Sequence, residues 1–206
     1  TDVKSDPKAM PYKTEKEVIA AFNQILTKIK PKLRSMFSVN PITPFEIRQT
    51  EKFREATASA EYIQGTPDGK RPGIFYMPIP DPTKFNVTSG MESLFLHEAI
   101  PGHHYQISLQ QENTNLPKFM RFGWFGAYGE GWAHYCETLG PEFGLYTDPY
   151  QKMGYLSDQM LRAVRLVIDT GIHTGKMTRE EAIAYFLSNI SYDEPSATAE
   201  VERYMA

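Results

Sequence analysis

The 206-residue sequence has a single cysteine, Cys136, so no internal disulfide framework can hold it together, and that count leaves the redox compartment open. It has no run of about 18 apolar residues, which leaves the sequence without a candidate membrane-spanning helix. The opening TDVKSDPKAMPYK lacks the apolar core of a signal peptide. Charge of one sign is also scarce. Lys and Arg number 22 against 25 Asp and Glu, a net −3, which removes any broad electrostatic reason to expect nucleic acid or an anionic membrane surface. Internal repeats and low-complexity tracts are missing as well. The chain begins without methionine and stops at VERYMA inside a helical pattern, so it reads as a piece of something longer.

What is there suffices for one sizeable core: 41% of residues are hydrophobic and 13% aromatic. Thr14 followed by Glu17 is a capping-box pattern, and Val18, Phe22, Ile25 and Ile29 recur at helical spacing until Pro31 interrupts a helix expected to resume to about Phe37. From 41 to 85 the texture changes. FEIRQT, SAEYIQGT and GIFYMPI are short β-prone segments separated by turn material, which predicts a small antiparallel sheet near residues 44–80. Ser89 and Glu92 repeat the capping pattern before MESLFLHEAI. Further helices are expected over HHYQISLQQ, over EGWAHYCETLG, from Asp148 and Pro149 to about His173, from a Thr178–Glu181 capping box, and from Pro195 onward. The fold class is therefore α+β, mainly α-helical. It is read as one domain with a helical lead-in over 1–40, a small sheet and loop over 41–85, and a helical region over 86–206 that carries the candidate site.

HEAIPGHH, residues 97–104, begins like the zinc-peptidase signature H-E-x-x-H, but Pro101 stands where the second histidine belongs. In a straight helix, six residues rotate His103 about 600° and raise it about 9 Å, so it could not share an ion with His97. The helix cannot be straight. Pro101 has no N–H for the carbonyl four residues back, and its ring would strike that carbonyl, which belongs to His97. Gly102 can adopt the positive φ of a sharp redirection, so the chain could bulge and return either His103 or His104 beside His97. Glu98, next to the first ligand, is placed to accept a proton from a water that a metal has acidified.

A catalytic zinc needs a third protein ligand. Glu130 in GEGWAHYCE is the leading candidate. His134 and Glu137, four and seven residues on, share its helical face and could orient the ligands. Arg165, Asp169 and His173 form a polar stripe on a helix apolar over most of its circumference. Such a helix is expected to be buried, with the stripe either paired internally or lining a cavity. Tyr76, Arg203 and Tyr204 could donate hydrogen bonds to a substrate.

HEAIPGHHYQ, GEGWAHYCE, RLVIDTGIH and AEVERYMA together resemble the bacterial family called domain of unknown function 885, with its pattern HExxPGHxxQ and EGWAxYxE. The match covers most of residues 70–206. Members of that family are usually longer, and many carry a signal or lipoprotein segment, so the chain resembles a C-terminal portion. The family is similar to gluzincin-type zinc metallopeptidases. The resemblance implies that His97, His103 and Glu130 bind Zn2+, that Glu98 is the general base, and that His104 is a neighbour or alternative ligand. It also implies that Arg165, Asp169 and His173 belong to a recurrent segment that lines the site, and Tyr204 stands beside them as a candidate substrate-binding residue. The expected function is a zinc-dependent hydrolase, a metallopeptidase acting on a peptide or peptide-like substrate, in a protein that is periplasmic or lipoprotein-anchored when full-length. Its rivals are a cytoplasmic location, a non-catalytic zinc- or peptide-binding module, and an iron oxygenase with two histidines and a carboxylate.

Overall fold

A computed structural model describes residues 3–55 and 57–205. It is mainly helical with a small sheet, as the sequence predicts. The chain divides into two compact units, 1–155 and 156–206.

In the first unit, helix α1 (Glu15–Met36) starts at the expected capping box: Thr14 accepts from the Glu17 amide, and the Glu17 side chain accepts from the Thr14 amide. It buries Val18, Phe22, Ile25, Ile29 and Leu33. Pro31 does not interrupt it. The proline lies on the exposed face, where water can serve the carbonyl it leaves unpaired.

Strands β1 (Phe45–Gln49), β2 (Glu61–Ile63) and β3 (Gly73–Met77) form one sheet in the order β1-β3-β2. The sheet is mixed, which corrects the expected antiparallel arrangement: β2 and β3 are antiparallel, but β1 runs parallel to β3. The stretch 50–60 is long enough to carry the chain to the far edge, so that β3 returns alongside β1 in the same direction. Phe75 of β3 meets Phe22 of α1 edge to face, ring centroids 5.4 Å apart, in the middle of the core.

The site-bearing helices follow. They are α2 (Met91–Glu98), α3 (His103–Glu112), the short α4 (Lys118–Phe122), α5 (Gly126–Thr138) and α6 (Gly140–Phe143). The expected Ser89–Glu92 box does not form. Gly90, at φ 83°, is the N-cap of α2, and Glu92 turns inward to accept the Tyr146 amide at 2.6 Å.

Helix α7 (Pro149–His173) begins in the first unit and continues into the second. There Leu161, Val164 and Ile168 join Ala182, Phe186 and Ile190 on and after α8 (Arg179–Asn189), and Ala197 and Val201 of α9 (Glu194–Met205), in a separate small core. The Thr178–Glu181 capping box forms as expected. The sequence overstates the burial of α7: Leu166 is 72% exposed and Val167 41%. No described helix is long and apolar enough to cross a membrane.

Candidate metal centre

Helix α2 ends at Glu98, the chain turns through Ala99–Gly102, and α3 begins directly at His103. The Ile100–Pro101 peptide is cis. Gly102 has φ −72°, not the positive φ the sequence suggested. Its smallness serves another end: a Cβ there would lie 1.8 Å from the His97 carbonyl oxygen and 2.3 Å from that of Leu96. The turn folds flat against the end of the helix it leaves, and only a residue without a side chain fits. Trp132 of α5 donates its indole N–H to the Pro101 carbonyl at 2.7 Å, which ties the turn to the helix that carries Glu130.

This turn brings His97 and His103 face to edge, with ring centroids 4.7 Å apart. Glu130 Oε2 lies 3.3 Å from His97 Nε2 and 3.7 Å from His103 Nε2. Ligand atoms of these three residues lie within 4.8 Å of one another, and they are the only such cluster among the described residues. The histidines are buried, while the Glu130 side chain is 60% exposed, so the cluster opens to solvent on the glutamate side. Seven residues along α5, Glu137 is 1% exposed and lies 2.7 Å from His97 Nδ1. Two carboxylates of one helix thus address the two nitrogens of one imidazole. That is the arrangement by which a buried carboxylate fixes a histidine's tautomer and aims its other nitrogen at a metal.

The electrostatics follow. Burial works against a charged His97, but its hydrogen bonds to the Glu130 and Glu137 carboxylates outweigh it and raise the imidazole to about 9. The site favours positive charge at this point. His103 is pushed down by burial and by His97 beside it. Glu98 is raised to about 7, first by burial and then by Glu130, with His97 opposing. Burial, then Glu137, pushes the Cys136 thiol up, which leaves it an inert core group.

His104 faces elsewhere. It is 2% exposed, packs on Phe45 of β1 with centroids 5.0 Å apart, and shares a 2.9 Å hydrogen bond through Nδ1 with the Tyr62 hydroxyl of β2. Burial lowers its pKa to about 4. His134 is half-buried on α5 and outside the ligand cluster. In the second unit, Arg165 Nε lies 3.1 Å from Glu200 Oε1 and 2.9 Å from the Tyr204 hydroxyl, and His173 Nε2 lies 2.9 Å from the Tyr204 carbonyl. Arg203 also pairs with Glu200, and Asp169 is exposed. The polar stripe is thus largely paired within its own unit. Sequence reasoning missed Tyr62 and Trp132. The first is one of 12 tyrosines, and nothing in its spacing marks it. The second had one signal, a Pro-Gly turn whose carbonyl needs a donor.

Helices α3 and α5, with α4, also line an apolar cavity of about 510 Å3, whose walls include Tyr105, Leu109, Met120, Phe125, Tyr128 and Trp132.

No curated protein matches the chain. Among solved structures it is similar to the crystal structure of "the putative lipoprotein from Colwellia psychrerythraea", with 34% identity and a TM-score of 0.90 over 99% of this chain. The chain spans 36% of that protein's length. Residues 1–206 match the family described as bacterial protein of unknown function, DUF885, and the chain belongs to that family.

Proposed function

We propose that the chain carries a zinc-dependent hydrolase centre, a metallopeptidase, in which His97, His103 and Glu130 hold the ion and Glu98 is the general base. The observation that carries this reading is the convergence of two imidazole Nε2 atoms and one carboxylate, with His97 backed by the buried Glu137. The donor set suits the ion: three protein ligands of nitrogen and oxygen type, with a solvent-facing side, match a catalytic rather than a structural zinc. A bound zinc ion would supply Lewis acidity toward a water molecule and a scissile carbonyl.

The chain's own groups would do the rest. Glu98, adjacent to His97, takes the proton of the attacking water on its carboxylate and passes it to the departing amine. Glu137 holds His97 in the tautomer that leaves Nε2 available. The apolar cavity along α3 and α5 suits a substrate with an apolar side chain. An iron oxygenase could use the same ligand types, but it would leave Glu98 without a task. The lipoprotein description of the similar structure supports an envelope location for the whole protein.

The test is zinc content by mass spectrometry and hydrolysis of a peptide library, on this chain and on the longer protein, for the native sequence and Glu98→Gln. The expected result is a variant that keeps its zinc and loses about 10²- to 10⁴-fold in rate. An unchanged rate would sink the mechanism, and zinc without turnover in either length of protein would establish a binding module instead.

A further inference from the structure

The two candidate histidine ligands are held differently. His97 is aimed by Glu137 through its second ring nitrogen. His103 has no such partner: its Nδ1 is buried and makes no hydrogen bond among the described residues. The edge contacts with His97 and with Trp124, 5.6 Å between centroids, are not directional enough to aim a ligand nitrogen. Its direction must come from how the first turn of α3 is seated.

His104, the next residue, seats that turn on the sheet. Its ring lies against Phe45 of β1 and meets Tyr62 of β2 at a centroid distance of 5.5 Å, while Nδ1 and the Tyr62 hydroxyl are 2.9 Å apart. The structure makes room for this bond. On β3, between the two other strands, Gly73 occupies a position where a Cβ would lie 2.2 Å from the Tyr62 hydroxyl and 2.8 Å from His104 Nδ1. Any side chain at residue 73 would force the pair apart. One imidazole of the HH doublet therefore faces Glu130 while its neighbour is hydrogen-bonded to one edge strand through Tyr62 and packed on the other through Phe45.

We propose that His104 and Tyr62 are positioning residues for the metal centre: their hydrogen bond over Gly73 fixes the first turn of α3 and thereby aims His103 Nε2 at the ion. This rests on the metal centre proposed above and assigns His104 the role that Glu137 plays for His97.

The test uses zinc alone as the probe, titrated against a chromophoric chelator, with Co2+ absorption as a signature of ligand geometry and thermal unfolding as a check on the fold. His104→Leu and Tyr62→Phe are expected to bind zinc about 10- to 100-fold more weakly, the range for loss of an orienting partner, with an altered Co2+ spectrum. His104→Asn, which places an acceptor near the position of Nδ1, is expected to restore both. Native-like affinity and spectrum in His104→Leu would overturn the assignment, as would failure of the asparagine to rescue a folded protein. A native chain that binds no zinc or cobalt would instead remove the metal centre itself, so the two failures are distinguishable.

Discussion

Two polar clusters in this chain each centre on a helix-borne glutamate and are built in opposite ways. In the second unit, Arg165, Glu200, Arg203 and Tyr204 satisfy one another, and the Glu200 carboxylate takes three donors. In the first, His97, His103 and Glu130 turn two imidazole Nε2 atoms and a carboxylate oxygen toward one another, with the supporting bonds placed behind the ligands, as Glu137 is behind His97. A closed network spends its hydrogen-bonding capacity on the fold. A convergent one holds it in a fixed geometry for something else. Sequence spacing alone does not separate them: Glu200, Arg203 and Tyr204 in one helix and Glu130, His134 and Glu137 in another both recur at i, i+3 and i+4 intervals.

The sharpest way to break this contrast is to remove a donor from each. Glu130→Ala should cost more zinc affinity than the roughly 10- to 100-fold expected for losing an outer partner, with little change in the urea midpoint, because the side chain is largely exposed. Retention of native zinc affinity would mean that Glu130 is no ligand. Glu137→Gln should weaken zinc within that 10- to 100-fold range, as His97 loses its charged support. Arg165→Met should do the reverse, costing about 1–3 kcal/mol of stability in the second unit and leaving zinc affinity unchanged. A large zinc effect there would break the comparison.

The smallest effect is in acid. Burial alone would raise the Glu200 carboxyl, but the hydrogen bonds from Arg203, Tyr204 and Arg165 hold it down to about 2, against an ordinary 4.5. A carboxyl depressed in the folded state contributes stability that is fully present above 4.5 and is lost as pH falls from there through about 2. Glu200→Gln should therefore flatten the fall of the urea midpoint between pH 5 and pH 3, followed by circular dichroism. An unchanged slope would show that Glu200 is not held this way.

Much of the site was legible because its chemistry is local in sequence. Proline four residues after a histidine, followed at once by glycine, points to a break in the helix, and a glutamate beside that histidine suggests a base. The capping boxes at Thr14 and Thr178 were legible for the same reason, and both form. The failures came from partners distant in the chain. Ser89 and Glu92 have capping spacing, but the Tyr146 amide, 54 residues away, claims the glutamate. Spacing could not choose between His103 and His104, since consecutive residues at the start of a helix leave in different directions and the choice depends on what each meets. Phe45 and Tyr62 supply the slot for His104, and no pattern in the sequence announces it. The parallel pairing of β1 with β3 is hidden in the same way, because it depends on the path of 50–60 rather than on strand composition.

The indole that bonds the Pro101 carbonyl carries one more consequence. The chain has two tryptophans, Trp124 over His103 and Trp132 on the Pro-Gly turn. With excitation that selects tryptophan over tyrosine, its fluorescence is therefore a spectroscopic window on the ligand turn, and α8 and α9 carry no tryptophan to contribute to it. A mismatch between fluorescence and circular dichroism during unfolding would report the two units separately, with no label added.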